Sequence, residues 1–464
     1  MRPVNRLPPE VLASCATFVS DADPRPIVSL THVCRYWRRA ISSNPRNWAS
    51  VATGWKRLVP LCLERAGVVP LAVDITVSDV KSDEDFLKPL LVHTSRIDRL
   101  RLVGYASTEA VTDDLPGFFG SPMLNLTSLE LQQTIEPAEL FPSSEALVPP
   151  VFQNVAKLMS LRLTQTPLYP TLFNISSLRE LKLLGYTSPF DFGTFIGFLH
   201  SNLDLEYVVL DVQFITESVE TAPTRKVSLS RLRNLSITCS KAIDSKGLLS
   251  WLSFPHGVKI EVISAKMDPF AELGSFLPSP PTPIRELLAP IAVIKTQLTP
   301  RELYLSGGGS VFTFRSLENP LNAHREFVLF PTALVRELYI NIHPYTFTDI
   351  GLSKVMKRLP ALEILAISEA AVFPIGLVSA LTEEPVLCPV LRTIAFFDCD
   401  INPDIIKKLG EALTRRRDST AARVYRVVIV NSTGTLLDRT SIQQLRRSVP
   451  CVEVRVDDKL PDLL

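Results

Sequence analysis

The sequence predicts an α/β fold, in which a short N-terminal helical module is followed by an irregular solenoid of repeats. Three observations lead to this prediction. The first part of the chain carries apolar stripes at helical spacing. From about residue 96 onward, one apolar pattern typical of a short strand returns at intervals of roughly 20 to 35 residues. The chain has 464 residues, which is too long for one ordinary globular core but normal for a repeat array.

The N-terminal module extends from Leu7 to Trp48, within residues 1–52. Leu7 and the prolines after it predict a helix start, because proline fits the first helical turn, where backbone N–H groups lack partners. The first apolar stripe consists of Val11, Leu12, Cys15, Phe18 and Val19. After a polar break, the second helical stripe consists of Ile27, Leu30, Val33, Cys34, Trp37 and Ile41. Asn44 and Pro45 are predicted to end that second helix.

These residues resemble the F-box family, in the form common in fungal (basidiomycete-type) F-box proteins. The resemblance lies in three blocks that follow one another in order: LPPEVL, SLTHVCRYWRRAI and NPRNW. It covers about the first tenth of the chain. It implies that the module binds a Skp-family adaptor, which would tie the protein to a cullin–RING ubiquitin ligase.

The resemblance also implies that apolar side chains of the module form the surface that binds the adaptor. A three-helix piece of about 45 residues cannot bury all its apolar side chains alone, and leftover apolar surface usually marks an interface. The predicted adaptor-binding residues are Leu7, Pro8, Val11, Leu12, Phe18, Ile27, Leu30, Val33, Trp37 and Trp48. For Trp37, Trp48 and Cys34, packing in the module's own core is the favoured alternative.

Residues 53–95 are predicted to connect the module to the repeats. A helix from Trp55 should end at Gly67, and the alternating residues Leu71 to Val77 predict a half-buried strand.

The repeat array is predicted to occupy residues 96–464. Each copy has an apolar residue, two variable residues, a second apolar residue, one variable residue and a third apolar residue, as in Ile97, Leu100 and Leu102. Further copies start at Leu126, Leu158, Leu178, Leu205, Leu232, Val335, Leu362, Leu391, Val424 and Val449, with a partial copy at Leu303. With about eleven copies, the chain resembles a leucine-rich-repeat solenoid, with parallel strands on the concave face and helices and loops on the convex face.

Two features make the predicted solenoid irregular. The position three residues after the last apolar residue of a repeat usually carries Asn or Cys, which bonds the backbone along the loops. Here that position holds Thr134, Thr166, Ser240 or Cys399. The stretch from 264 to 299 contains a proline cluster that cannot hold a helix or a central strand, and it is predicted to form a protruding loop.

Between the later repeats, two amphipathic helices are predicted, one from Asp349 to Leu359 and one that begins at Asn402. Arg415, Arg416 and Arg417 lie at the C-terminal end of the second helix, where positive charge suits the helix dipole. That placement favours a structural role for these arginines over nucleic-acid contact.

Composition excludes several classes of function. The formal net charge is +1, so the chain as a whole has no bias toward polyanions, and no nucleic-acid partner is expected. The seven cysteines form no CxxC pair, which predicts reduced thiols and an intracellular protein, cytoplasmic and/or nuclear. The sequence has no secretory signal and no apolar run of the roughly 18 residues that a membrane span needs, so no membrane partner is expected.

No motif predicts an enzyme, a metal site or a cofactor. The six histidines form no HExxH motif and no Cys/His cluster with zinc spacing. The glycines at 307–309 lack the GK[ST] of a phosphate-binding loop and are predicted to form a turn.

The predicted function is therefore substrate recognition for a Skp–cullin–F-box ubiquitin ligase. Outward-facing residues of the repeats should run from charged in the early copies to aromatic and apolar in the later ones, and a protein substrate is predicted to contact Tyr304, Tyr339 and Ile364. The favoured alternative for these three is that inter-repeat loops bury them. The alternative function is a leucine-rich-repeat scaffold whose F-box acts outside any ligase.

Overall fold

The structure is a computed structural model that divides into two units, Met1–Val212 and Gln213–Leu464. It describes residues 7–20, 25–76, 86–104, 118, 120–133, 155–166, 175–185, 190–211, 214–215, 226–265, 276–277, 287–288, 291–297, 302–307, 309–316, 332–341, 349–368, 375–419, 422–430 and 439–455. The predicted ladder residue Thr134 and the proline cluster at 278–283 lie outside these ranges.

The first unit begins with three short helices that pack on one another. They are α1 (Pro9–Ser20), α2 (Arg25–Thr31) and α3 (Arg35–Ser42), followed by a 3-10 turn at Pro45–Trp48. The predicted second helix is in fact two helices. The chain leaves the helix after Thr31, and the sulfur of Cys34 caps the next helix by accepting the backbone N–H of Trp37 at 3.5 Å. A side chain that bonds the free N–H groups of a new helix stabilises a break at that point.

A buried asparagine links α1, α3 and the 3-10 turn. The side-chain amide of Asn47 donates to the carbonyl of Ile41 at 3.0 Å, and the hydroxyl of Thr17 donates to Oδ1 of Asn47 at 2.7 Å. Leu12, Ile27 and Trp48 are buried close by in the same helical module. The three helices therefore share one small core.

The predicted connecting segment belongs to the first sheet. Its elements are β1 (Ser50–Ala52), a 3-10 turn (Thr53–Leu58), α4 (Val59–Ala66), β2 (Leu71–Thr76), α5 (Leu87–Leu91) and a 3-10 turn (Thr94–Arg96). Gly67, at φ +55, ends α4 as predicted. Strand β2 pairs in parallel with β1 on one side and with β3 (Ile97–Val103) on the other. Strands β1, β2 and β3 thus form the start of the repeat sheet.

The sheet of the first unit is parallel throughout. After β3 it contains β4 (Ser128–Gln132), β5 (Ser160–Thr164), β6 (Glu180–Leu184) and β8 (Tyr207–Asp211), with the short β7 (Phe190–Asp191) and helix α6 (Phe192–Ser201) between the last two. Each of these main strands is H-bonded in parallel to the next. The register aligns the middle apolar residues of the repeats, which are Leu100, Leu129, Leu161, Leu181 and Val208. All are buried, so this face of the sheet is the core.

The second unit has a longer, mostly parallel sheet. The strands of this unit, including short ones outside the large sheet, are β9 (Phe214–Ile215), β10 (Val227–Ser228), β11 (Asn234–Cys239), β12 (Leu252–Ser253), β13 (Lys259–Ser264), β14 (Ile291–Gln297), β15 (Glu302–Gly307), β16 (Ser310–Ser316), β17 (Glu337–Asn341), β18 (Ile364–Ser368), β19 (Thr393–Phe397), β20 (Arg426–Val430) and β21 (Cys451–Arg455). The pairing order is β11-β13-β16-β15-β14-β17-β18-β19-β20-β21. The short β10 and β12 pair with each other.

An antiparallel meander interrupts this sheet, and it corrects two predictions. Ile291–Gln297 is a strand, although 264–299 was predicted to be a loop. The strand that contains Leu303 and Leu305 runs antiparallel to both of its neighbours, so it is not a repeat strand. Strand β15 ends at Gly307, which pairs with Ser310 at the start of β16, and Gly309 has a φ of +78, as a hairpin turn requires. Strands β13 and β16 were not predicted.

In the described part of the second unit, a helix follows each of β11, β17, β18, β19 and β20. These helices are α7 (Ala242–Trp251), α8 (Asp349–Met356), α9 (Ile375–Thr382), α10 (Pro403–Ser419) and α11 (Arg439–Ser448). The last four pack each on the next. The predicted helices at 349–359 and from Asn402 are confirmed, and Asn402 caps α10 by accepting the N–H of Ile405 at 2.9 Å.

Two residues at the predicted ladder position bond the neighbouring repeat. The hydroxyl of Thr166 donates to the carbonyl of Leu131 at 3.3 Å, and the thiol of Cys399 donates to the carbonyl of Ile367 at 3.5 Å. In each case the accepting strand is the neighbour of the donor's own strand, one in each unit. The same local bond thus recurs in both sheets, which is typical of a stacked repeat.

A buried arginine fastens α10 to the segment before β19. The guanidinium of Arg416 is 1% exposed and donates to the carbonyls of Leu387 at 2.8 Å and Cys388 at 2.5 Å. Burial lowers the pKa of Arg416 from its ordinary value. The predicted dipole role fits Arg417, which lies in the last turn of α10, whereas Arg416 acts inside the core.

We expect Arg416→Met to lower the free energy of unfolding by about 2 to 4 kcal/mol, because it removes both hydrogen bonds that the buried guanidinium donates to Leu387 and Cys388. Urea unfolding measures this loss. Arg415→Met, one residue earlier on the exposed side of α10, is the control and should change stability by less than about 0.5 kcal/mol. Equal effects of the two substitutions would contradict this assignment.

An ion pair joins the last two strands and should give stability a pH dependence. Hydrogen bonds from Arg426 and then Arg455 lower the pKa of Glu453 to about 2. Because the folded-state pKa is depressed, the stabilisation is present above the unfolded-state pKa and is lost as the pH falls toward about 2. We expect Glu453→Gln to cost about 1 kcal/mol near neutral pH, since the pair is partly solvated, and almost nothing at about pH 2.

Urea midpoints of wild type and Glu453→Gln across this pH range test that expectation. Glu384→Gln is the control, because Glu384 is exposed and makes no ion pair with the part of the chain that the structure describes. A constant difference between wild type and Glu453→Gln at every pH would mean that packing, and not charge, is lost.

Candidate functional site

Several predicted adaptor-binding residues lie on the surface of the helical module. Phe18 is 83% exposed, Val33 57%, Val11 43% and Leu7 38%. Pro8 is also exposed. These residues remain the predicted contacts, and their exposure leaves them free to meet a partner.

Other predicted contact residues lie inside the module. Leu12, Ile27 and Trp48 are at most 3% exposed, so they hold the helices together and do not form the surface. Leu30 and Trp37 are half-buried. The sequence could not separate these residues from the exposed ones, because both sets are apolar and fall in the same helical stripes.

Helix α1 has apolar side chains on two opposite sides. Leu12, Ala13 and Ala16 face the core of the module. Val11 and Phe18 are two helical turns apart, lie about half a turn away from that buried side, and are exposed together with Cys15. A helix that is apolar on both sides needs a second packing partner or leaves an apolar patch in water. Among the described residues, nothing covers the outer side.

Tyr36 is a surface residue of this site that the sequence analysis missed. Its hydroxyl donates to the backbone carbonyl of Leu7 at 2.6 Å, which holds the start of the module against α3. Tyr36 itself is about one third exposed, so its ring extends the apolar surface beside Leu7. The sequence did offer a signal for including Tyr36 in the site, because it lies between Arg35 and Trp37 in the SLTHVCRYWRRAI block.

The module is joined firmly to the first sheet. The backbone N–H of Ala72 in β2 donates to the carbonyl of Ala49 at 2.9 Å. The guanidinium of Arg65 in α4 lies 4.3 Å from the centre of a Trp48 ring. A cation over an aromatic face is attracted to it, so α4 and the end of the module are held together.

Side-chain chemistry in the described ranges offers no reactive cluster. No group of His, Cys, Asp or Glu among those residues could hold a metal ion. Burial raises the pKa of the Cys62 thiol to about 11 and that of Cys388 to about 12, so both are protonated at neutral pH and are poor nucleophiles. None of the helices in these ranges is both long and apolar enough to cross a membrane.

The predicted substrate contacts lie close together on the second sheet. Tyr304 and Tyr339 occupy one row across the strands, on either side of Lys295, and Ile364 lies beside Glu337 in the next row. All three are half-buried. The hydroxyl of Tyr339 donates to Glu337 at 3.1 Å, and burial, followed by the charge of Glu337, raises the pKa of Tyr339 to about 12.

The face around Tyr339 is largely closed. Its neighbours form a buried cluster of Ala366, Ala395, Phe397, Val428 and Val430. Ala366 and Val428 occupy outward-facing positions of the later repeats, and both are buried in this cluster. These residues bury one another and pack against Tyr339. Their burial fits the alternative that the chain itself buries this face, whereas substrate contact by Tyr304, Tyr339 and Ile364 stays a prediction.

The corresponding face of the first sheet is open and charged, as predicted. Register places Asp74, Arg101, Glu130, Arg162 and Lys182 in one row across five strands. Arg101 pairs with Asp74 at 2.9 Å and with Glu130 at 3.4 Å, and Arg162 approaches the same Glu130 at 3.7 Å. Arg99 and Glu180 lie in the adjacent row. The signs alternate from Asp74 to Arg162, and Lys182 pairs with Glu180 of the adjacent row, so this face carries little net charge.

Comparison with known proteins does not assign the chain to a family. No family model matches the sequence, and no curated protein matches it. Among solved structures, a leucine-rich-repeat (LRR) protein of Leptospira interrogans is similar over 83% of this chain and 89% of that chain, with 13% sequence identity and a TM-score of 0.33. A likeness this low assigns neither family nor function, so the repeat architecture rests on the strands and their register.

The two sides of α1 should respond differently to truncation. We expect Leu12→Ala to cost about 2 to 5 kcal/mol of unfolding free energy, because it empties part of a packed core. Val11→Ala, at the exposed neighbouring position, should cost less than about 0.5 kcal/mol. Chemical unfolding of the two variants measures both values. A large loss in Val11→Ala would show that the outer side is already packed against the rest of the chain.

Proposed function

We propose that this protein is a substrate-recognition adaptor of a Skp–cullin–F-box ubiquitin ligase. In this proposal, residues 7–48 bind a Skp-family adaptor and the repeats bind a protein substrate. The chain contributes no catalysis, and it works inside the cell, in the cytoplasm, the nucleus or both. The runner-up is a repeat scaffold whose helical module binds an adaptor without recruiting a cullin.

The outer side of α1 is the observation that carries the proposal. It presents apolar side chains to water in a helix whose inner side is already packed. Such a surface is costly in a free protein and typical of a docking site. Val11 lies in the LPPEVL block that resembles an F-box, and Phe18 follows on the same helix, which is why the proposed occupant is a Skp-family adaptor.

The link between the module and the sheet supports an adaptor role. Since Ala49, Trp48 and Arg65 fix the module to the first strands, an adaptor bound to α1 would sit at a defined position relative to that sheet. Holding two reactants near each other in a set geometry raises the effective concentration of one for the other. The rate gain would then come from the assembled ligase and not from side-chain chemistry in this chain.

A pull-down with the full-length tagged chain tests the proposal. We expect wild type to recover both a Skp-family adaptor and a cullin. The triple variant Val11→Ser/Phe18→Ser/Val33→Ser should recover at least about tenfold less of both, because truncation of central interface residues each costs more than about 1 kcal/mol. It should unfold at nearly the wild-type urea concentration.

The matched control is Val68→Ser/Val92→Ser/Leu124→Ser, which removes exposed apolar side chains elsewhere in the same unit. It should recover both partners as wild type does. If the adaptor is recovered without a cullin, the scaffold function replaces the ligase function. If wild type recovers neither protein, the docking proposal is wrong.

A further inference from the structure

One edge of the second sheet gathers residues from the same turn of successive repeats. The N–H of Glu363 donates to the carbonyl of Arg336 at 2.7 Å, that of Arg392 to Glu363 at 2.9 Å, and that of Tyr425 to Arg392 at 2.8 Å. These residues immediately precede β17, β18, β19 and β20. They therefore form a continuous line along the amino-terminal edge of the parallel strands.

The C-terminal ends of the helices reach the same edge. The guanidinium of Arg417, at the end of α10, donates to the carbonyl of Arg447, at the end of α11, at 3.2 Å. The buried Arg416 ties α10 to Leu387 and Cys388, in the segment that leads to Arg392. The helix ends and the turns before the strands thus form one surface.

Exposed arginines on this surface lack acidic partners. They are Arg358, Arg392, Arg415, Arg423, Arg446 and Arg447, which we call the arginine edge. Within the part of the chain that the structure describes, none of them makes an ion pair.

Most acidic groups nearby are already engaged. Glu363 pairs with Arg336 at 3.8 Å, Asp418 pairs with Arg417 at 3.0 Å, and Glu383 pairs with Lys357. Glu384 is the remaining exposed carboxylate in these turns. The arginine edge therefore carries a local excess of positive charge, although the net charge of the whole chain is only +1.

Helix dipoles explain part of this pattern. Arg446 and Arg447 lie in the last turn of α11, where cations are favoured. Arg392 and Arg423 lie in no helix, so the dipole does not account for them. Arginine also differs from lysine, because its planar guanidinium offers a fork of donors that matches a carboxylate.

We propose that the arginine edge binds an acidic segment of a protein partner. Tyr425 is 53% exposed beside Arg392, and Val390 is exposed in the same turn region. Arginine and tyrosine are the residues most enriched at protein interface hot spots. Asp418, Glu383 and Glu384 lie among the arginines and would repel the continuous phosphate backbone of a nucleic acid, which favours a protein segment with spaced carboxylates.

That this partner is the ligase substrate rests on the proposed function. The binding of an acidic segment to the arginine edge does not depend on that function. The arginine edge is also a better candidate surface than the row of Tyr304 and Tyr339. The neighbours of that row are buried, while the arginines are open to water.

Fluorescence anisotropy of the full-length chain with a fluorescein-labelled Glu-Ser repeat peptide tests the proposal. We expect binding at low salt that weakens steeply as salt is raised, because exposed charges are screened. The variant Arg392→Gln/Arg415→Gln/Arg446→Gln should bind at least about tenfold more weakly, since each lost pairing involves charge-assisted hydrogen bonds.

The control is Lys407→Gln/Lys408→Gln/Arg439→Gln, which removes the same charge from the first half of α10 and the start of α11. It should bind within about twofold of wild type. Equal losses in both variants, or no peptide binding at low salt, would overturn the proposal. If a single-stranded oligonucleotide binds more tightly than the peptide, and only the first variant loses that binding, the arginine edge is a nucleic-acid surface instead. Adaptor recovery by both variants, measured alongside, reports on the proposed function separately.

Discussion

The parallel register of the strands is the constraint on which the rest of the structure depends. It brings the middle apolar residue of each repeat into one row, such as Leu129, Leu161 and Leu181 in the first sheet. A strand exposes alternate side chains on opposite faces, so fixing this row also fixes what the other face presents. A one-residue slip would move every leucine into water, which is why burial of one row specifies the whole sheet.

Register also determines where similar local features recur. Thr166 and Cys399 belong to different units, yet each bonds the carbonyl of the adjacent strand at the equivalent position. The turns before the strands align in the same way, so charges that are far apart in sequence become neighbours at one edge. Arg392 and Arg423 could be read as isolated surface charges in the sequence, and only the stacked turns bring them together with the helix ends.

The sequence predicted the positions of the repeat strands well, because a repeated apolar pattern marks each of them. It could not predict strand direction, since an antiparallel strand has the same alternation, and Leu303 and Leu305 were therefore assigned to a repeat that does not exist. It left open whether the outward face of the later repeats is buried, because that depends on how neighbouring strands pack, as Ala366 and Val428 do. The sequence also did not predict the break before α3. Cys34 fits the apolar stripe of a continuous helix, but its sulfur caps the start of a new one.

Helix α1 shows why stability and binding can be separated in this protein. Leu12 packs between the helices, whereas Val11, its immediate neighbour, points to solvent. Because a helix turns by about 100° per residue, one short sequence can serve the core on one side and a partner on the other. The outer side adds little to the packing of the module, since Phe18 is 83% exposed, so the fold alone does not account for its apolar residues. This is the reason for placing the proposed docking site on that side.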